Sequence, residues 1–126
     1  MDKTEVVILV GSNHSLRETM VEVVMLRLSG MLDCFRRSQA MESPDATGKS
    51  APYLNAVCSG FTDRSLADFT ELTKSIEKEL GRTAESKLTG VVEIDIDIVI
   101  WGKDVLKPRD AASDYFAMPF ATLPEG

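Results

Sequence analysis

The segment Val92 to Trp101, Val-Glu-Ile-Asp-Ile-Asp-Ile-Val-Ile-Trp, constrains this chain more than any other. Side chains of a β-strand alternate between faces with period two. Val92, Ile94, Ile96, Ile98 and Ile100 therefore form one row, and Glu93, Asp95 and Asp97 the other. Such a strand belongs in a sheet with one face packed against a core and one face polar. The apolar row is expected to lie under helices. At about 3.3 Å rise per residue, the Asp95 and Asp97 carboxyls stand about 7 Å apart. With an effective dielectric near 20, their repulsion is about 2–3 kcal/mol. Strands also disfavour Asp intrinsically. Two explanations are open. Either the polar face is simply solvated, or the pair holds a hard cation, as Mg²⁺ takes one or two carboxylates and completes its shell with water and phosphates.

The rest of the chain supplies partners for that strand. Val6 to Val10 is a short β-branched run stopped by Gly11-Ser12-Asn13, which predicts a buried strand. Ser15 and Glu18 have the spacing of a capping box, and Leu16, Met20, Val23, Val24 and Leu28 keep helical spacing up to Gly30. Cys34 to Met41 and Tyr53 to Thr62 read as strands, separated by a flexible loop from Ser43 to Pro52. Ser65 and Asp68 repeat the capping pattern ahead of a stripe of Leu66, Phe69, Leu72, Ile76 and Leu80 that ends before Gly81. Residues 82–91 are polar and irregular, and a short irregular tail follows the acidic strand. The order strand, helix, strand, strand, helix, strand predicts a ferredoxin-like α+β sandwich, with four antiparallel strands and two helices on one face.

At 126 residues the chain is expected to form one domain, residues 1–126, with an adequate core. Its net charge of −6 argues against a nucleic-acid or anionic-membrane partner. There is no apolar run long enough for a membrane span and no signal-peptide pattern, so a cytoplasmic protein is expected. Cys34, Cys58 and the lone His14 have no zinc-binding spacing, and free thiols are expected. His14 reads as a surface side chain.

Four motifs in order, Gly11-Ser12-Asn13, Tyr53-Leu54-Asn55-Ala56-Val57, Ile76-Glu77 with Leu80-Gly81-Arg82, and Ile94-Asp95-Ile96-Asp97-Ile98, resemble the 6-hydroxymethyl-7,8-dihydropterin pyrophosphokinase family of the folate pathway. The resemblance covers residues 5–120 and implies the same ferredoxin-like fold. It implies transfer of pyrophosphate from ATP to the hydroxymethyl group of a reduced pterin, with AMP as the other product. Asp95 and Asp97 would bind two Mg²⁺ ions, with Arg82 beside them as a catalytic cation. Gly11, Ser43, Pro44, Tyr53, Asn55 and Phe116 would form the pterin pocket, with Tyr53 and Phe116 on opposite sides of the ring. Lys74, Glu77, Arg82, Lys87, Ile98, Lys107 and Arg109 would contact ATP. These small molecules would be the partners. The loops at 43–52 and 82–91 would close over them to exclude water.

Family members carry several loop arginines ending in Gly-Pro-Arg, whereas here Gly90 is followed by Val91 and Val92, and Arg82 and Lys87 are the loop's cations. This leaves open an active short-form enzyme using Lys87, Lys107 and Arg109, a non-catalytic pterin- or nucleotide-binding domain, and an interaction module using its open sheet face.

Overall fold

A computed structural model describes residues 2–44, 48, 51–81 and 94–124. In chain order it contains β1 (Thr4–Ser12), α1 (Arg17–Ser29), β2 (Asp33–Arg37), β3 (Met41–Ser43), β4 (Tyr53–Thr62), α2 (Leu66–Glu79), β5 (Asp95–Trp101), β6 (Asp104–Val105), α3 (Pro108–Ala111) and α4 (Asp114–Phe120). The strands form an antiparallel sheet of order β2-β4-β1-β5-β6, with β3 also paired to β4.

The sheet has six strands where the sequence order predicts four. The expected strand from Cys34 to Met41 divides into β2 and β3, both beside β4. The break lies at buried Ser38, whose N–H donates to the Val57 carbonyl at 2.7 Å and whose hydroxyl accepts the Val57 N–H at 2.8 Å. At the other edge β5 folds back on itself as β6. Gly102 turns that corner at φ +62°, a left-handed conformation that side chains disfavour.

The main core lies between the sheet and the two longer helices. Val6, Ile8 and Val10 of β1, Ala56 and Cys58 of β4, and Ile94, Ile96 and Ile98 meet Val21, Val24, Met25 and Leu28 of α1 and Phe69 and Ile76 of α2. Ser65 caps α2 by accepting the Asp68 N–H at 3.1 Å, as its spacing predicts. Thr73 is buried on that helix, whereas Leu72, expected in the apolar stripe, is 36% exposed. The Ser15–Glu18 box does not form: α1 begins at Arg17 with Leu16 as an N-cap that lacks a side-chain cap bond, and the His14 ring accepts the Leu16 N–H on Nδ1 at 3.0 Å just ahead of the helix.

Two departures reshape the face expected to be open. The tail forms α3 and α4 rather than an irregular end, and Phe116 packs with Val7, Leu9, Val57 and Val99 into a second, smaller core. The β1–β5 register then slips, pairing Val7 with Ile100 but Ile8 with Ile98, so Val99 is bulged out of the ladder. Beyond the bulge the faces exchange. Ile100, expected in the helix-side row, packs with the second core, and Trp101 packs on the helix side with its ring 6.0 Å from that of Phe69. Val92 and Glu93 of the expected strand lie outside the described residues. Both cysteines are free thiols, Cys34 exposed and Cys58 buried. Among the described residues, no helix is long and apolar enough to cross a membrane.

Candidate active site

Register places the chemistry. Gly11 of β1 pairs with Asn55 of β4 on one side and Asp95 of β5 on the other, and Leu9 pairs with Val57 and Asp97. Directly opposed residues of an antiparallel ladder project to the same face. Asn55, Gly11, Leu9, Asp95 and Asp97 thus share the face away from α1 and α2. Ser43 of β3 comes beside Tyr53 at the start of β4.

Where α3 and α4 stop short of covering this face, a cavity of about 290 Å³ remains. Its lining includes Gly11, Ser43, Pro44, Tyr53, Asn55, Asp95 and Asp97, each of them expected at a substrate or metal site. Asn55 is 5% exposed, and its Nδ2 donates to the Ser43 hydroxyl at 2.6 Å, so the amide is held in one orientation. The lack of a side chain at Gly11 keeps the floor low: a Cβ there would lie 3.0 Å from Asn55 Oδ1. A flat, hydrogen-bonding heterocycle suits such walls.

A second cavity of about 510 Å³ runs along the part of β5 that β6 does not cover. Lys74 and Glu77 of α2, Ile98 of β5 and Lys107 line it, together with Thr70, Thr73 and the same Asp95 and Asp97. Glu77 Oε2 accepts the Ile96 N–H at 2.8 Å, satisfying an edge donor of β5 and anchoring α2 to the strand. Lys107 Nζ stands 4.0 Å from Asp97 Oδ1. The two carboxylates therefore sit where the cavities meet. Among the described residues, no group of three or more His, Cys, Asp or Glu is arranged to hold a metal ion. An ion held by Asp95 and Asp97 would complete its shell with water and substrate phosphates. Hard, paired oxygens suit Mg²⁺ on those terms.

Other expected site residues fall elsewhere. Phe116 is 4% exposed and stacks on Phe120 with centroids 5.2 Å apart, so it belongs to the second core and does not line the cavity. Arg109 is exposed on α3 and lines neither cavity. Arg82 and Lys87 lie outside the described residues, as do the loop at 82–91 and most of the loop at 43–52. Asp110 and Tyr115, which the sequence reading passed over, do line the first cavity. The Tyr115 hydroxyl donates to Asp110 Oδ1, and burial, followed by that bond, pushes the Tyr115 pKa up. Thr70 and Thr73 were also missed, although with Lys74 and Glu77 they repeat at helical spacing along one side of α2.

A family model described as 7,8-dihydro-6-hydroxymethylpterin-pyrophosphokinase matches residues 7–125. The chain is similar to the 2-amino-4-hydroxy-6-hydroxymethyldihydropteridine pyrophosphokinases of two Porphyromonas gingivalis strains, ATCC 33277 and W83. Each is 34% identical over 97 residues, a match covering 71% of this chain and 61% of the relative. The chain thus spans 61% of the length of these curated relatives.

Proposed function

Since the chain belongs to the 7,8-dihydro-6-hydroxymethylpterin-pyrophosphokinase family, we propose that it transfers a pyrophosphoryl group from ATP to the hydroxymethyl group of a reduced pterin in folate biosynthesis. The observation that carries this reading is the position of Asp95 and Asp97 at the junction of two cavities, one lined by Gly11, Ser43, Tyr53 and Asn55 and one whose lining includes Lys74, Lys107, Thr70 and Thr73. In the reaction the pterin hydroxyl oxygen bonds to the β-phosphorus of ATP and gives up its proton to solvent, and the bond from that phosphorus to the α-phosphate oxygen breaks. AMP leaves.

In this reading Asn55, Ser43, Pro44, Tyr53 and Gly11 seat the pterin, and the Asn55 amide, fixed by Ser43, reads its hydrogen-bonding edge. Lys74, Glu77, Ile98 and Lys107 face the nucleotide. Lys107 sits near enough to Asp97 to neutralise either the carboxylate or an arriving phosphate. Arg82 and Lys87 belong to the same proposal as phosphate contacts. Asp95 and Asp97 would hold Mg²⁺, two ions in the full complex, and the metal would supply charge neutralisation for the phosphates. The remaining contribution is positioning, the main requirement of phosphoryl-type transfer. The proposal extends to a single, cytoplasmic domain, with the sheet and its two longer helices as an elaborated ferredoxin-like sandwich.

Incubation with ATP, Mg²⁺ and 7,8-dihydro-6-hydroxymethylpterin should release AMP, and Asp97→Ala should abolish that release. Folded wild-type protein giving no AMP above a blank overturns the reading. A second reading, a pterin- or nucleotide-binding domain without turnover, draws support from Arg109, a candidate phosphate cation that lines neither cavity. Pterin binding without AMP release would establish it.

A further inference from the structure

Arg17 opens α1, and its guanidinium fastens two segments that border the smaller cavity. The Arg17 backbone N–H and Nη1 both donate to the His14 carbonyl, at 3.0 and 3.3 Å, and the His14 N–H donates in turn to the Ser12 hydroxyl at 3.2 Å. These bonds tie the side chain to the turn that follows Gly11. Nη2 stands 3.4 Å from Glu42 Oε1 on β3. The next residue of β3, Ser43, lines the cavity and accepts the bond from Asn55 Nδ2.

Alternation along β3 accounts for this division. Glu42 pairs with Leu54, which is buried in the helix-side core, and Ser43 pairs with Tyr53, which lines the cavity. Opposed residues share a face and successive residues alternate, so Glu42 reaches toward α1 and Ser43 toward the cavity. β3 is three residues long and, among the described residues, pairs with β4 alone. A strand so short depends on its side-chain fastenings for its exact placement.

Resting on the pyrophosphokinase reading, we propose that Arg17 is a positioning residue for the pterin: through Glu42 it sets β3, and through Ser43 it sets the Asn55 amide. Its contribution to folding is small by comparison. Nε is buried and makes no hydrogen bond among the described residues, which costs stability. The ion pair with a carboxylate that is 60% exposed returns little. The two effects nearly cancel, and what the side chain adds is geometry. It fixes the span between the turn after Gly11 and the strand that carries Ser43. Asn55 lies between these segments, paired with Gly11 on one side and Met41 of β3 on the other.

The test is a set of variants, each measured for pterin Kd by fluorescence titration with 7,8-dihydro-6-hydroxymethylpterin, for KM and kcat by AMP release, and for Tm. Arg17→Met keeps the bulk and removes the donors. It should raise the pterin Kd and KM about fivefold, with kcat and the KM for ATP little changed and Tm within a few degrees of wild type. Glu42→Ala should do the same, and it carries the test if Arg17→Met fails to fold. The double variant should be no worse than either, because the two residues share one contact. Glu42→Arg places two cations together and should raise Kd about tenfold, whereas Arg17→Glu/Glu42→Arg should return it to within about twofold of wild type. Adding Arg17→Met to Ser43→Ala should cost nothing further, since the path ends at that hydroxyl.

Folded Arg17→Met and Glu42→Ala proteins that bind pterin as wild type does overturn the assignment and leave the enzyme reading intact. A large fall in Tm with unchanged Kd gives Arg17 a structural role alone and likewise overturns it. Additive losses in Arg17→Met/Glu42→Ala, or a swapped pair that does not recover, overturn the path through Glu42. A wild-type chain that neither binds the pterin nor releases AMP overturns both the assignment and the reading on which it rests.

Discussion

Gly11→Ala separates the cavity from the fold. The new Cβ would lie 3.0 Å from Asn55 Oδ1, 3.8 Å from the Leu54 carbonyl and 4.0 Å from Tyr53 Cδ1. Only the first contact is tight, and Asn55 relieves it by shifting a few tenths of an ångström, at the expense of its 2.6 Å bond to Ser43. Losing that bond costs about 1 kcal/mol. Replacing glycine inside a strand returns about 0.5–1 kcal/mol. The net change in stability is therefore under about 1 kcal/mol, a Tm shift of a few degrees in a chain of this size. The ligand meets a different balance. A methyl group on the floor of a cavity of about 290 Å³ lifts a flat ring out of contact and disturbs the amide that orients it. Overpacking of this kind costs about 1–3 kcal/mol, or roughly 5- to 150-fold in Kd.

Gly60→Ala is the internal control. Its Cβ would lie 2.6 Å from Leu32 Cβ and 3.0 Å from the Asp33 carbonyl oxygen, atoms fixed by the backbone. That clash is on the core side, remote from the cavity, and should cost about 3 kcal/mol and lower Tm by roughly 10 °C. Its folded fraction should bind pterin normally. Thermal melts together with fluorescence titration of the pterin decide the matter. A folded Gly11→Ala protein with unchanged Kd refutes the placement of the ring over β1, and a Gly60→Ala protein with unchanged Tm refutes the packing argument.

Glu77→Ala deprives the Ile96 N–H of its acceptor and should destabilise the protein by about 1 kcal/mol in urea titrations, whereas Glu77→Gln, which keeps an acceptor, should recover most of it. Equal losses in the two variants would show that the bond is not what anchors α2 to β5. Lys107→Gln should change stability by less than about 1 kcal/mol, since its ammonium is half exposed and stands 4.0 Å from Asp97, yet raise the KM for ATP several-fold, an effect that shrinks as salt rises. A KM unaltered at low salt would remove Lys107 from the phosphate site. A thiol reagent should label exposed Cys34 in the native protein and Cys58 only on unfolding. Burial pushes the Cys58 pKa up to about 12 from 9.0, so the native state keeps a proton that the unfolded chain loses in that interval. Stability should be unaffected by Cys58 below pH 9 and fall by about 1 kcal/mol per pH unit above it, a slope absent in Cys58→Ala.

The sequence pattern was informative where a period or a cap is local, and less so where pairing with another segment decides. Ser65 caps α2 because capping depends on residues within one turn. Ser15 has the same spacing to Glu18, but the bonds among Ser12, His14 and Leu16 accompany an N-cap one residue later, at Leu16. The tail gave little signal because α3 and α4 span 4 and 7 residues, too short for a helical period to declare itself. For the same reason the neighbouring aromatics Tyr115 and Phe116 were indistinguishable until the packing of α4 sent one to the cavity and the other to the core.

The acidic strand shows both outcomes in seven residues. Its period-two rule holds through Ile98 and fails after it, because the bulged Val99 exists only in the register against β1. No composition rule forecasts that slip, since Val99 is as β-prone as its neighbours. Had the bulge lain between Asp95 and Asp97, the two carboxyls would have faced opposite ways and no shared cation could lie between them. It falls after both. The strand stays regular along the half that carries the carboxylates, and the irregularity is confined to the half where Ile100 and Trp101 can each find a core on either face. An Asp-x-Asp pair tolerates no such exchange, whereas two large apolar residues between two cores do. That asymmetry is why the candidate metal site was legible in the sequence while the end of its own strand was not.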